Sequence, residues 1–92
     1  MAVTIRTVSQ AAAAVRGRRR SLGMTQADLA SRAGVSRKWV YEFEAGNGGA
    51  EVGNLLAVLE ALGSVMEIRD DERPAAGALD LLALVDGLVN RD

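Results

Sequence analysis

Ninety-two residues, 49% of them apolar and 25% charged, make one small globular domain and not a disordered chain. Histidine and cysteine are both absent, which excludes disulfides, Cys/His zinc sites, Ser-His catalysis and thiol nucleophiles. The net charge of −1 conceals a polarity: residues 1–46 carry eight bases and three acids, residues 47–92 three bases and nine acids. A basic half beside an acidic half points to one end that meets a polyanion. No apolar run reaches the length of a signal peptide or a membrane span, so a cytoplasmic protein is expected. A small core without staples is marginal alone, so a helical bundle that dimerises is the natural form.

Helix signals follow one another closely. Thr7-Val8-Ser9-Gln10 has capping-box form and starts a helix expected to reach Leu22 and stop at Gly23. Thr25-Gln26-Ala27-Asp28 opens a second helix, ending near Ala33-Gly34. Ser36 caps a third, which runs to Glu44 or Ala45 and stops at Gly46. Gly46-Asn47-Gly48-Gly49 follows a helix, so it reads as a turn and not as the phosphate loop of an enzyme. A fourth helix is expected from about Glu51 to Leu62, with Val52, Leu55, Leu56, Leu59 and Leu62 at helical spacing. Ser64 to Arg69 reads as a strand through Val65, Met66 and Ile68. A lone strand needs a partner, and the candidates are Val3–Arg6 or the same strand across a twofold axis. Asp70-Asp71-Glu72 and Pro74 read as a linker, and Ala76 to Asn90 as a helix with a very wide apolar face.

The second and third helices, joined through Gly34-Val35, have the helix-turn-helix layout. On a helical wheel Val40, Phe43 and Glu44 share one side of the third helix. Arg37, Lys38, Tyr41, Glu42 and Ala45 share the other, with Trp39 on the flank. The exposed side is therefore basic and polar at its N-terminal end, where a recognition helix meets base edges. Arginine suits guanine O6 and N7, and lysine suits guanine or phosphate. Gln26 and Ser36, at helix N-termini, suit phosphate. On the first helix Val8, Ala11, Ala12, Val15, Arg19 and Leu22 share a face, which puts Arg19 on an apolar stripe. A buried pair between Arg19 and Glu44 is the expected solution. Arg16, Arg18 and Arg20 stay outside, for phosphate contact or for simple solvation.

Leu22-Gly23-Met24-Thr25-Gln26-Ala27-Asp28-Leu29-Ala30, Ala33-Gly34-Val35-Ser36 and Val40-x-x-Phe43-Glu44-x-Gly46 together resemble the Xre/Cro/lambda-repressor-type helix-turn-helix family. The run Ala61-Leu62-Gly63-Ser64-Val65-Met66-Glu67-Ile68 looks like the HipB-type antitoxins. The general resemblance covers residues 8–62, and the HipB-like one extends it to about 70. It implies a mainly α, lambda-repressor-like bundle over residues 1–69, with a short strand pairing across a homodimer through Val65, Met66 and Ile68. An acidic linker and apolar helix would follow over 70–92. It also implies a non-enzymatic, cofactor-free repressor of its own operon that binds operator DNA and holds a HipA-like kinase toxin. Carried over by position, Arg37 and Lys38 become the leading base readers, with Tyr41 and Glu42 behind them. Gln26 becomes a phosphate contact, and the Arg19–Glu44 pair is matched. Ser36, Trp39, Arg16 and Arg20 complete the expected phosphate contacts. The competing reading is a protein-interaction module of the same fold without DNA binding, supported by the acidic second half.

Overall fold

The computed structural model describes residues 2–47 and 49–71. They form four helices, α1 (Val8–Ser21), α2 (Gln26–Ala33), α3 (Arg37–Glu44) and α4 (Val52–Ala61), with no strand among the described residues. The expected helix over 76–90 and most of the linker lie outside these residues.

Local chemistry sets the helix starts. In α2 the Thr25 hydroxyl accepts from the Asp28 amide at 3.0 Å, and the Asp28 carboxylate accepts from the Thr25 amide at 3.0 Å, a complete capping box. Ser36 caps α3 by accepting from the Trp39 amide at 3.0 Å. Both helices are also preceded by an apolar residue at the staple position. Met24 and Leu29 bracket the start of α2, Val35 and Val40 the start of α3, and all four belong to the core or pack against it. Gly34 closes α2 at a φ of 72°, a conformation glycine adopts without strain, and the chain turns there toward α3.

The α1 cap differs in one detail from the sequence reading. Thr7 accepts from the Gln10 amide at 3.0 Å, but the Gln10 carboxamide oxygen takes the Arg6 amide at 2.6 Å, one residue further back. The box is therefore not reciprocal. Gln10 ties down the extended segment ahead of the helix and leaves the cap residue itself alone.

The core is a layer of Ala12 and Val15 from α1, Met24, Leu29 and Ala30 around α2, Val40 and Phe43 from α3, and Val58 and Leu62 from α4. Leu29 and Val58 are wholly enclosed. Two sequence expectations are corrected here. Val8 and Leu22, at the ends of the α1 stripe, are exposed, because the neighbouring helices cover only its middle turns. On α4 the buried line runs through Val58 and Leu62 with Leu55 and Leu59 beside it. Val52 and Leu56 lie outside it, since the true stripe is one helical step away from the assumed one.

Residues 64–70 form no strand, with Val65 at 84%, Met66 at 50% and Ile68 at 98% exposure. Val3–Arg6 does not pair with them as a strand either. Arg6 and Asp71 join the two segments by an ion pair at 2.6 Å. A lone strand cannot satisfy its own backbone, and among the described residues neither Val3–Arg6 nor any other segment supplies the second strand.

The α2 cap has a pH signature. Hydrogen bonds from Thr25, backbone first, hold the Asp28 carboxyl below the usual carboxylate range. A depressed folded pKa means that the cap stabilises the fold above the unfolded Asp value of about 3.9 and loses that contribution as pH falls through the lower folded value. Acid melts of wild type and Asp28→Asn are expected to converge below that window and to diverge above it.

Candidate nucleic-acid interface

The site begins with what holds α3 in place. Arg19 of α1 is buried, and its Nε and Nη2 donate to the two Glu44 carboxylate oxygens at 2.7 and 2.8 Å. Its Nη1 donates to the Met24 carbonyl at 2.8 Å. Each branch of the guanidinium is thus used, and the fork geometry locks the last turn of α1 to the end of α3. The Glu44 hydrogen bonds raise the Arg19 pKa more than burial lowers it, so the guanidinium stays charged. Gln26 adds a third arm: its Nε2 donates to the same carboxylate at 3.3 Å. One carboxylate therefore ties together α1, the N-terminus of α2 and the end of α3.

Gln26 is only half-buried, at the first turn of α2. Ser36 uses its oxygen as acceptor in the α3 cap, which leaves its hydroxyl proton to give to an anion. Trp39 is half-buried, its ring stacked on Phe43 with centroids 5.1 Å apart and planes 4° apart. Its bulk belongs to the wall of the core as much as to the surface. This stack and the burial of Val40 and Phe43 fix the rotation of α3 about its axis. The helix consequently turns Arg37, Lys38, Tyr41 and Glu42 outward, and all four are exposed. Arg37, Lys38 and Tyr41 border a shallow hollow of about 260 Å³. Lys38 and Glu42 form an i,i+4 ion pair at 3.8 Å.

Arg16 and Arg20 are exposed on α1, one turn apart, and line a groove of about 440 Å³ whose other wall is Glu44–Gly46. Arg18 behaves differently from these two. Its Nε donates to the Leu62 carbonyl at 3.1 Å, satisfying an orphan acceptor at the end of α4. Sequence reasoning missed this bond. The signal was an unsatisfied helix end before Gly63, but four arginines on α1 could have answered it. The Arg6–Asp71 pair was missed as well. Val65, Met66 and Ile68, the residues expected to pair across a dimer, stand apart from this site, on the segment after α4. Among the described residues no group of acids could hold a metal ion, and no helix is long and apolar enough to cross a membrane.

The family model described as "Helix-turn-helix domain" matches residues 10–76. The chain belongs to the helix-turn-helix family. It is 37% identical over 68 residues to y4mF of Sinorhizobium fredii (strain NBRC 101917 / NGR234), an uncharacterized HTH-type transcriptional regulator. That alignment takes in 74% of this chain and 90% of the relative. Among solved structures, a complex of HipB with an O2 20-mer superposes with a TM-score of 0.73 at 25% identity, covering 78% of this chain and 100% of that one. A HipA–HipB–O2–O3 complex gives 0.72 at 24%, covering 77% and 100%. A mutant restriction-modification controller protein gives 0.59 at 18%, covering 92% and 96%. The helix-turn-helix domain is thus of the Xre type and close to HipB in architecture, as its motifs suggested.

Proposed function

We propose that the chain is a sequence-specific DNA-binding repressor, the antitoxin of a HipBA-like operon, acting without cofactor or catalysis. The observation that carries this reading is the Glu44 carboxylate junction. It fixes α1, α2 and α3 so that Arg37, Lys38, Tyr41 and Glu42 face solvent together on one helix. In this reading α3 enters the major groove, with Arg37 and Lys38 as leading base readers. Gln26, Ser36, Trp39, Arg16 and Arg20 meet phosphates. The HipA–HipB–O2–O3 structure supports a kinase-type toxin as partner.

Substitution separates the roles. Arg37→Ala or Lys38→Ala is expected to weaken operator binding by about 1–3 kcal/mol and to relax preference at one position. Gln26→Ala is expected to weaken all sequences about equally, because a phosphate contact carries no sequence information. Titration of each variant against operator and scrambled duplexes measures both effects. A Gln26 variant with altered base preference would reverse the assignment, and a wild-type protein that binds no duplex would leave the interaction-module reading standing.

The exposed apolar side chains of the unpaired 64–69 segment support pairing with a second copy. A homodimer with recognition helices about 34 Å apart, one DNA turn, would read an inverted repeat. Light scattering at micromolar concentration is expected to give twice the chain mass. Met66→Pro, which removes a backbone donor in the middle of the segment, is expected to return it to the monomer.

A further inference from the structure

Two rows of side chains run along the exposed face of α3. Residues four apart on a helix are offset by roughly 40°, so Arg37 and Tyr41 make one row and Lys38 and Glu42 the other. In the second row the Lys38 ammonium and a Glu42 carboxylate oxygen are 3.8 Å apart, with side chains 82% and 47% exposed. That is an ion pair longer than a hydrogen bond. The ammonium and the carboxylate therefore sit side by side, as a donor next to an acceptor, with hydrogen-bonding capacity left to give.

A G·C base pair presents the complement of that arrangement in the major groove. Guanine O6 accepts and cytosine N4 donates, and because these atoms bond each other they lie about 3 Å apart. We propose that Lys38 and Glu42 act as one unit that reads a single G·C pair in each half-site, the ammonium on guanine and the carboxylate on the cytosine amino group. This rests on the reading of α3 as a recognition helix. It goes further in naming the base pair and its orientation.

The four base pairs then rank by chemistry. With guanine under Lys38, the ammonium finds two acceptors, O6 and N7, and the carboxylate finds only a donor. A T·A pair offers O4 to Lys38 and the adenine amino group to Glu42, but places the N7 acceptor beside the carboxylate and a methyl group beside the ammonium. C·G puts an amino donor under the ammonium and both guanine acceptors under the carboxylate, while A·T leaves the ammonium only adenine N7 beside an amino donor and sets thymine O4 against the carboxylate. The expected order is G·C, then T·A, with the other two rejected.

The test is selection from a randomised duplex library with the full chain, followed by titration of all four pairs at the position that depends on residues 38 and 42. Wild type is expected to favour G·C over C·G by about ten- to a hundredfold. The charge-swapped variant Lys38→Glu/Glu42→Lys is expected to invert this and favour C·G. The swap should fold, since both positions are exposed and Glu ahead of Lys is the better helical order; its melting temperature verifies that. A swap that keeps the original preference, or a wild type that enriches sites with no G·C position sensitive to these residues, overturns the proposal while leaving DNA binding intact. A wild type that enriches no sequence overturns both.

Discussion

Arg19→Met is expected to destabilise the domain by about 3–5 kcal/mol, the usual result of stripping one partner from a buried ion pair. The Glu44 carboxylate would remain enclosed between α1, α2 and α3, with only the 3.3 Å bond from Gln26 to satisfy it. Glu44→Gln leaves the guanidinium one acceptor at residue 44 where it had two, beside the Met24 carbonyl. The Arg19→Met/Glu44→Gln double variant is expected to cost less than the sum of the single changes, because it leaves no unpaired charge behind. Arg19→Lys is not expected to restore stability, since an ammonium cannot bridge both carboxylate oxygens and the Met24 carbonyl in one plane. For a domain this small each kcal/mol moves the melting temperature by about 4–8 °C, so the singles should melt some tens of degrees lower or fail to fold. Thermal melts of the four proteins decide it, and strict additivity would show that the two side chains do not share their energy.

The second large effect is on DNA affinity. Arg16 and Arg20 are the exposed cations of the α1 groove and are not spent on the fold as Arg18 and Arg19 are. With both arginines of both protomers on phosphates, about four counterions leave the DNA and log affinity falls with log salt at a slope near −3.6. Raising salt from about 50 to 200 mM should then weaken binding roughly 150-fold. The Arg16→Ala/Arg20→Ala variant is expected to lose most of that slope while its stability stays within about 0.5 kcal/mol of wild type, as exposed substitutions do. Filter binding or fluorescence anisotropy across a salt series reads the slope directly. An unchanged slope would take both arginines out of the interface.

The existence of α1 to α4 and the rotation of α3 were legible in the sequence, because they follow from interactions within a few residues. Caps at Thr7, Thr25 and Ser36, stop signals at Gly23, Gly34 and Gly46, and the split of α3 into a buried and an exposed side all appear in the structure. The Arg19–Glu44 pair was legible too, although its members are 25 residues apart. Two opposite charges, each stranded on an otherwise apolar stripe, have one economical partner each. What the sequence could not assign was the work of equivalent side chains. Four arginines lie between residues 16 and 20, and only the position in which packing on α2 leaves the end of α4 determines that Arg18 reaches the Leu62 carbonyl. In the same way, seven apolar residues crowd α4, and the cover supplied by α2 selects the line from Val58 to Leu62 over the Val52–Leu56 line. The Gln26 arm of the junction also depends on where α2 begins relative to the end of α3, a distance set by the Gly34 turn. Periodicity and capping are local properties of a chain, whereas the choice among chemically identical partners is made by the geometry of the assembled helices.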